Sequence, residues 1–348
     1  MSRGRRLDSF VVGRMAGAVV LVVLAVAQAA LARDAERGWD FLIDKLAHDG
    51  VPRDRVLQVF RDDRLPPFDG LQFSLQPRES HALYRPLRTR RTAARARSCL
   101  AEYRDAFETA ERRFGVPAHL VASIIQVESG CGANTGRSRI LPALARLAMA
   151  AEPANLERNV ERLTLLDTSR SVGAVASFAH WRAQHLEGMF YPEVKAAFDI
   201  ADRLGLDPLE MRGSGSGAFG IPQFLPRSYL WYGVDGDQDG RVSLYEPADA
   251  IPSCASYLEH YGWHAGLTRT AQRNVIWGYN HSDAYIDTVL WLADEVESPT
   301  PEPARAKPKV QVAKRRRPTG KVTRAKAKAP VRAKAATAKK STHRRAAR

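Results

Sequence analysis

Glu128 closes the apolar run Leu120-Val121-Ala122-Ser123-Ile124-Ile125-Gln126-Val127. Wound as a helix, the run places Val121, Ile124, Ile125 and Glu128 on one stripe, because residues three, four and seven apart share a face. A carboxyl on a buried stripe resists ionisation, since burial disfavours the charged form. The partial negative charge at a helix C-terminus acts in the same direction. Both effects raise its pKa, the condition for a carboxylic acid that donates a proton near neutral pH. Position alone is equally consistent with a solvated carboxylate at the exposed end of a core helix. The residues that follow, Ser129-Gly130-Cys131-Gly132, end the helix and open space beside the carboxyl.

Two further segments combine small, amide and phenolic residues. In Gly213-Ser214-Gly215-Ser216-Gly217-Ala218-Phe219-Gly220-Ile221-Pro222-Gln223-Phe224 the small residues let backbone approach a ligand closely, and Gln223 offers both a donor and an acceptor. In Trp277-Gly278-Tyr279-Asn280-His281-Ser282-Asp283-Ala284-Tyr285 apolar ring faces alternate with hydrogen-bonding groups. Each segment alone reads as well as a loop, an aromatic core cluster or a solvated turn. A fourth segment has metal-ligand spacing: Asp235, Asp237 and Asp239 alternate, Gly240 stands at the sixth position, and position seven offers the Arg241 carbonyl. That is a calcium-loop pattern, in which a twelve-residue loop would end at Glu246. An Asp/Gly-rich turn that binds nothing is the plain alternative, and Asp249 suits a helix start.

The elements that would hold these groups are mostly helices. Amphipathic patterns run over 33–62, broken at Gly50-Val51-Pro52, then over 97–114, 117–127, 141–150, 156–166, 172–186 and 193–204. Others cover 248–261, 272–278 and 283–296, while 65–91 reads as an extended arm. Strand signals are sparse, with Arg241–Leu244 the best of them. The turn Gly115-Val116-Pro117 folds the second and third helices into a hairpin, which brings Cys99 beside Cys131 and predicts a disulfide that pins the backbone after Glu128. Cys254, the last of three cysteines, is expected to be a buried small hydrophobe, and no zinc spacing is present.

The net charge of +15 is unevenly placed. From Pro299 to Arg348 there are 18 Lys/Arg against one acid, Glu302, which leaves −2 on everything before it. That tail, 299–348, holds Pro, Ala, Lys and Arg without aromatics, a composition that cannot build a core and predicts disorder. It reads either as a solvated extension or as a tether to a polyanion such as an anionic envelope polymer or nucleic acid. At the other end Arg3, Arg5, Arg6 and Arg14 precede the apolar run Met15–Ala27 and the small-residue site Ala30-Leu31-Ala32. Residues 1–32 thus read as a signal peptide, with an uncleaved anchor as the alternative. Export to the periplasm or cell envelope follows, and with no cysteine at the junction a lipoprotein is not expected. The folded domain is bounded at 33–298.

Together and in this order the segments resemble the membrane-bound lytic murein transglycosylase B family, a branch of the lysozyme-like superfamily. Glu128 to Gly132 match its E-[ST]-x-x-G pattern, Gly213 to Phe224 its G-S-x-x-G-A-x-G-x-x-Q-F segment, and Tyr279 to Tyr285 its Y-N-x-S-x-x-Y segment. The chain departs at Gly215-Ser216 and at Ile221-Pro222. The resemblance implies a mainly α, lysozyme-like catalytic core with a substrate groove and a small β element near the calcium loop. It implies a monomer that cleaves the β-1,4 bond between N-acetylmuramic acid and N-acetylglucosamine in peptidoglycan glycan strands, leaving 1,6-anhydro ends. Glu128 would act alone as acid and base, with Ser214, Gln223, Tyr279, Asn280 and Tyr285 holding the sugar. No cofactor for catalysis is implied. A structural Ca2+ would use Asp235, Asp237, Asp239, Arg241 and, at the end of a fifteen-position loop, Asp249. A lysozyme-type hydrolase, or a non-catalytic polyanion-binding protein working through its tail, are the competing expectations.

Overall fold

Twelve α-helices make up most of the described residues, 37–75 and 81–298, of the computed structural model. In chain order they are α1 (Asp40–His48), α2 (Arg53–Phe60), α3 (Arg90–Glu102), α4 (Arg104–Phe114), α5 (Ala118–Ser129) and α6 (Ile140–Ala148). There follow α7 (Pro153–Leu166), α8 (Val172–Leu204), α9 (Pro226–Tyr232), α10 (Pro247–His260), α11 (Arg269–Tyr279) and α12 (Asp283–Glu297). The expected signal segment and basic tail lie outside the described residues. Among the described residues no helix is long and apolar enough to cross a membrane.

Helix α5 is the axis of the fold. Leu120 through Gln126 and Ser129 are all buried, and a helix that is apolar on every side must be covered on every side. The cover comes from α3, α4, α10 and α12, whose Cys99, Phe107, Ile251, Leu258, Ile286 and Val289 share one core with Val121, Ile124 and Ile125. A second core joins Trp39, Leu46, Phe60, Leu141, Leu144, Val194 and Phe198, so that α1 and α2 close over the packed pair α6 and α8. Helix starts are signalled locally: Thr89, Ser171, Thr268 and Ser282 each accept a backbone N–H two or three residues into the helix they precede. The Ser282 cap matters most, because the amide it receives belongs to Tyr285.

Three expectations fail, each for a physical reason. The helix over 97–114 is two helices, parted at Tyr103, whose φ −110° and ψ 35° leave the helical region; the first of them begins at Arg90, inside the expected extended arm. The segments 172–186 and 193–204 form one 33-residue helix that continues through Pro192. Proline normally ends a helix, but buried Tyr191, Val194, Ala197 and Phe198 on either side of Pro192 anchor both halves to the same core. No strand forms over Arg241–Leu244. Three of its polar backbone groups go to side chains instead: Arg241 N–H to Asp239, Ser243 N–H to Asp249, and Val242 C=O to the Tyr229 hydroxyl. The small β element is built elsewhere, from β1 (Ser138–Arg139) paired antiparallel with β2 (Arg212–Gly213) and extended by single bridges from Gly213 to Phe219 and from Phe219 to Phe224.

Candidate active site

Glu128 stands on the last turn of α5, half-buried, and the chain leaves that helix through a tight stop. Gly130 adopts φ 61°, its N–H bonds to Gln126 O, and Cys131 N–H bonds back to Ile125 O. That pair of bonds is a Schellman-type end, which requires a left-handed residue after the helix. Cys131 is left-handed too, at φ 61°, and it is joined to Cys99 on α3 across a Cα–Cα distance of 6.2 Å. A non-glycine residue rarely holds that conformation without outside constraint. The backbone after Glu128 is therefore fixed from two directions.

Helix α12 supplies the partner of the carboxyl: Tyr285 Oη donates to Glu128 Oε1 at 2.6 Å. Burial first, and then the charge of Glu128, push the Tyr285 phenol well above its usual range. The hydroxyl thus keeps its proton and works as a donor. Tyr279 lies parallel to Tyr285, ring centroids 6.4 Å apart, and donates to Pro222 O at 2.6 Å. Its phenol is also raised, by burial and then by Cys254 and Glu128. Cys254 is fully buried, its sulfur 3.9 Å from the Tyr279 hydroxyl, and burial pushes the thiol up. It packs as a small buried side chain near Glu128.

The loop Gly213–Phe224 is bonded across to the loop that follows α5. Gln223 adopts φ 51°, and its side-chain amide donates to Thr135 O at 3.1 Å and to Gly220 O at 2.7 Å. Both amide hydrogens are engaged, which leaves Oε1 as the free acceptor. Ser214 Oγ accepts from the backbone of Ser216 and Ala218, closing a turn that Ser214 N–H to Ala218 O completes. Its hydroxyl hydrogen stays available. Gly217 has a packing reason to be glycine: at φ 89° a Cβ would sit 2.2 Å from Leu144 Cδ2 on α6. The loop accommodates the departures at Ile221-Pro222: Ile221 N–H pairs with Leu244 O, and Pro222 contributes its carbonyl to Tyr279. Asn280 ends α11, and among the described residues its side-chain amide makes no hydrogen bond.

Glu128, Tyr279, Tyr285 and Cys254 thus meet around one point, and Gly132 faces Ile221 of the loop that carries Ser214 and Gln223. A cavity of about 450 Å³ lies elsewhere, between α8 and the aspartate loop, lined by Met211, Phe219, Leu244 and Tyr245, and Glu128 does not line it. Sequence reading missed Tyr84, whose ring stands edge-on to Tyr285 at 5.8 Å, and Tyr257, 4.8 Å from Tyr279. Tyr84 lies in an Arg- and Pro-rich stretch without periodicity, so nothing local marked it. Tyr257 could have been found, because it sits three residues after Cys254 on one buried face.

Residues 35–274 match the family described as "Transglycosylase SLT domain". The chain belongs to that family. The membrane-bound lytic murein transglycosylase B of Escherichia coli strain K12 is 34% identical over 165 residues, spanning 47% of this chain and 37% of that protein. The chain therefore matches little more than a third of that relative's length. The structure of the Escherichia coli lytic transglycosylase Slt35 in complex with calcium aligns with a TM-score of 0.54 at 23% identity, covering 75% of this chain and 92% of that one. Pseudomonas aeruginosa SltB3 in complex with NAG-anhNAM-pentapeptide aligns with a TM-score of 0.54 at 18% identity, covering 75% and 78%. The helical fold is that of the lysozyme-like transglycosylases.

The aspartate loop of this SLT-domain chain is folded inward on itself. Asp235, Asp237 and Asp239 bring carboxylate oxygens within 4.8 Å of one another. Their oxygens also receive the backbone N–H groups of Asp239, Gly240 and Arg241, which curls the segment around them. Asp249, expected as the last ligand, is instead 2% exposed and outside the trio: its two oxygens take the N–H groups of Gly236 and Ser243 at 2.8 and 2.6 Å. It anchors the loop to α10 from below. Glu246 is exposed at the start of the same helix.

Proposed function

We propose that this chain is an exported lytic transglycosylase that cleaves the β-1,4 bond between N-acetylmuramic acid and N-acetylglucosamine in peptidoglycan, leaving 1,6-anhydro ends. The observation that carries the reading is the 2.6 Å bond from the proton-retaining Tyr285 to Glu128, at the end of a largely buried helix of a family member. Tyr285 holds Oε1 and so sets the orientation of the carboxyl that gives the proton. Glu128 protonates the glycosidic oxygen, and the carboxylate that remains is stabilised by the same Tyr285 hydroxyl. That carboxylate then takes the proton of the muramyl 6-hydroxyl as it attacks the anomeric carbon. The attack is intramolecular, so orientation supplies much of the advantage that a second carboxylate supplies in ordinary glycosidases. Asn280, Gln223 Oε1 and the Ser214 hydroxyl hold the N-acetyl and hydroxyl groups; Tyr279 sets the floor.

Mass spectrometry of digested sacculi tests this directly. The released muropeptides are expected to be lighter by one water than those made by a lysozyme. Products ending in free reducing muramic acid would replace the transglycosylase with a hydrolase.

Three converging carboxylates are hard oxygen donors and fit Ca2+, and the left-handed Gln238 (φ 63°) and Gly240 (φ 88°) give the backbone the curl such a loop needs. The ion would be structural, holding the curl of the loop closed while Asp249 ties that loop to α10. Chelation should then lower the melting temperature by about 5–10 °C. Asp237→Ala should melt at the lower temperature with or without chelator. Equal melting of the wild-type protein in calcium and in chelator would remove the metal from this reading.

A further inference from the structure

Outside the constellation around Glu128, helix α7 turns a polar face toward the chain that precedes it. Asn155, Arg158, Asn159 and Arg162 share that face, because they stand three, four and seven residues along from the first. Three of the four clip down the segment 71–73. Asn155 Oδ1 takes Leu71 N–H at 2.7 Å, Asn159 takes Phe73 N–H and gives its amide to Leu71 O, and Arg162 Nη2 donates to Phe73 O. Arg158 is the exception: it is exposed, and among the described residues it makes no hydrogen bond and no ion pair. Its guanidinium lies beside Gly70, where at φ 110° a Cβ would come 3.4 Å from Arg158 Nη2 and from Asn155 Oδ1. Between these groups lies a cavity of about 460 Å³, whose lining sets the guanidiniums of Arg146, Arg158 and Arg162 against the single carboxylate of Asp69.

Pairing within the protein leaves two of those cations without a counter-charge. Arg146 is engaged by Asp69 and by Gly70 O, each at 2.6 Å. Arg162 bonds only neutral oxygens, Phe73 O and Asn159 Oδ1, and its Nε is buried without an acceptor among the described residues. A buried donor left unsatisfied costs about 1–3 kcal/mol, so the cavity favours an occupant that brings oxygens. We propose that it is a binding site for a phosphate group. Arg158 and Arg162 are four residues apart on α7, about 6 Å between Cβ atoms, and both line the one cavity. A single tetrahedral oxyanion can therefore meet both. Two uncompensated positive charges match a dianion, and guanidinium forks match its oxygens in pairs. A carboxylate, with one charge, would neutralise only one of them. The cavity is larger than phosphate alone requires, which leaves room for the small polar group of a phosphate ester. Glu128 does not line it, so the inference stands apart from the reading of that residue.

The test is isothermal titration of the full-length protein with inorganic phosphate, glycerol 3-phosphate and succinate, all at one ionic strength because salt screens exposed charges. The basic tail is common to every protein compared, so a change on substitution reports the cavity. Both phosphates are expected to bind the wild type about tenfold tighter than succinate, and Arg158→Ala to lose about tenfold in phosphate affinity. Arg158→Lys keeps the charge without the fork and should fall between. Because Arg158 is exposed and bonds nothing in the fold, both variants should melt with the wild type in the absence of ligand. Muropeptide release should be unchanged in both. Tighter binding of glycerol 3-phosphate than of phosphate assigns the site to an ester, and the reverse order assigns it to the free ion. Phosphate affinity that is the same in wild type, Arg158→Ala and Arg158→Lys overturns the site, and so does equal affinity for succinate and phosphate.

Discussion

Glu128→Gln is expected to reduce muropeptide release by at least about a thousandfold, the scale of a lost general acid–base group. Glutamine matches glutamate in volume, and its side-chain oxygen still accepts the Tyr285 hydroxyl, which sits 2.6 Å from Glu128 Oε1 in the wild type. Packing at the end of α5 is therefore retained, and the melting temperature should move little. What the amide lacks is a proton to give to the leaving oxygen and a charge with which to take one from the 6-hydroxyl. Both halves of the reaction fail together, about 4 kcal/mol of barrier. Parallel assays of release and thermal melting separate lost chemistry from lost fold. Undiminished release by a well-folded Glu128→Gln protein would remove Glu128 as the acid.

The placement of Glu128 at the end of a buried helix was legible because that helix carries the information in its own residues. Leu120 to Val127 is apolar on every side, Gly130 supplies a left-handed stop, and the glutamate falls between them. Cys99 and Cys131 were legible for a similar reason, since a helical hairpin of known turn returns one end to the other. The two failures over helix boundaries show where local signals lose. Pro192 says stop, but the buried rings and branched chains around it belong to one core, and packing overrides propensity. Tyr103 carries no breaking residue type at all, yet the helix parts there because α3 must pack on α5 and α12, and α4 on α10. At Arg241–Leu244 a plausible strand was outcompeted by aspartate and tyrosine side chains bonding its backbone. Tyr84 is the instructive omission. It reaches Tyr285 through tertiary placement of an aperiodic segment, and no spacing rule connects residue 84 to residue 285.

Removal of the Cys99–Cys131 crosslink, by Cys99→Ala with Cys131→Ala, should cost about 3–4 kcal/mol of stability, the value expected for closing a loop of this length. The two cysteines are 32 residues apart, and the loop between them contains all of α4 and α5. For a domain of this size that loss lowers the melting temperature by about 10 °C. A local effect accompanies the global one. Cys131 holds a left-handed φ of 61° three residues after Glu128, a conformation that the crosslink helps to impose and that alanine resists. Cys99→Ala with Cys131→Gly separates the two contributions, because glycine accepts that conformation freely. It should recover about 1 kcal/mol of the deficit, and with it part of any turnover lost at temperatures well below melting. If the crosslink served only to shorten the unfolded chain, the alanine and glycine versions would turn over substrate alike when both are folded. A difference between them locates the effect in the backbone beside the acid. If wild type and the double alanine variant melt together under oxidising conditions, the crosslink contributes no stability and the geometry after Glu128 rests on Gly130 alone.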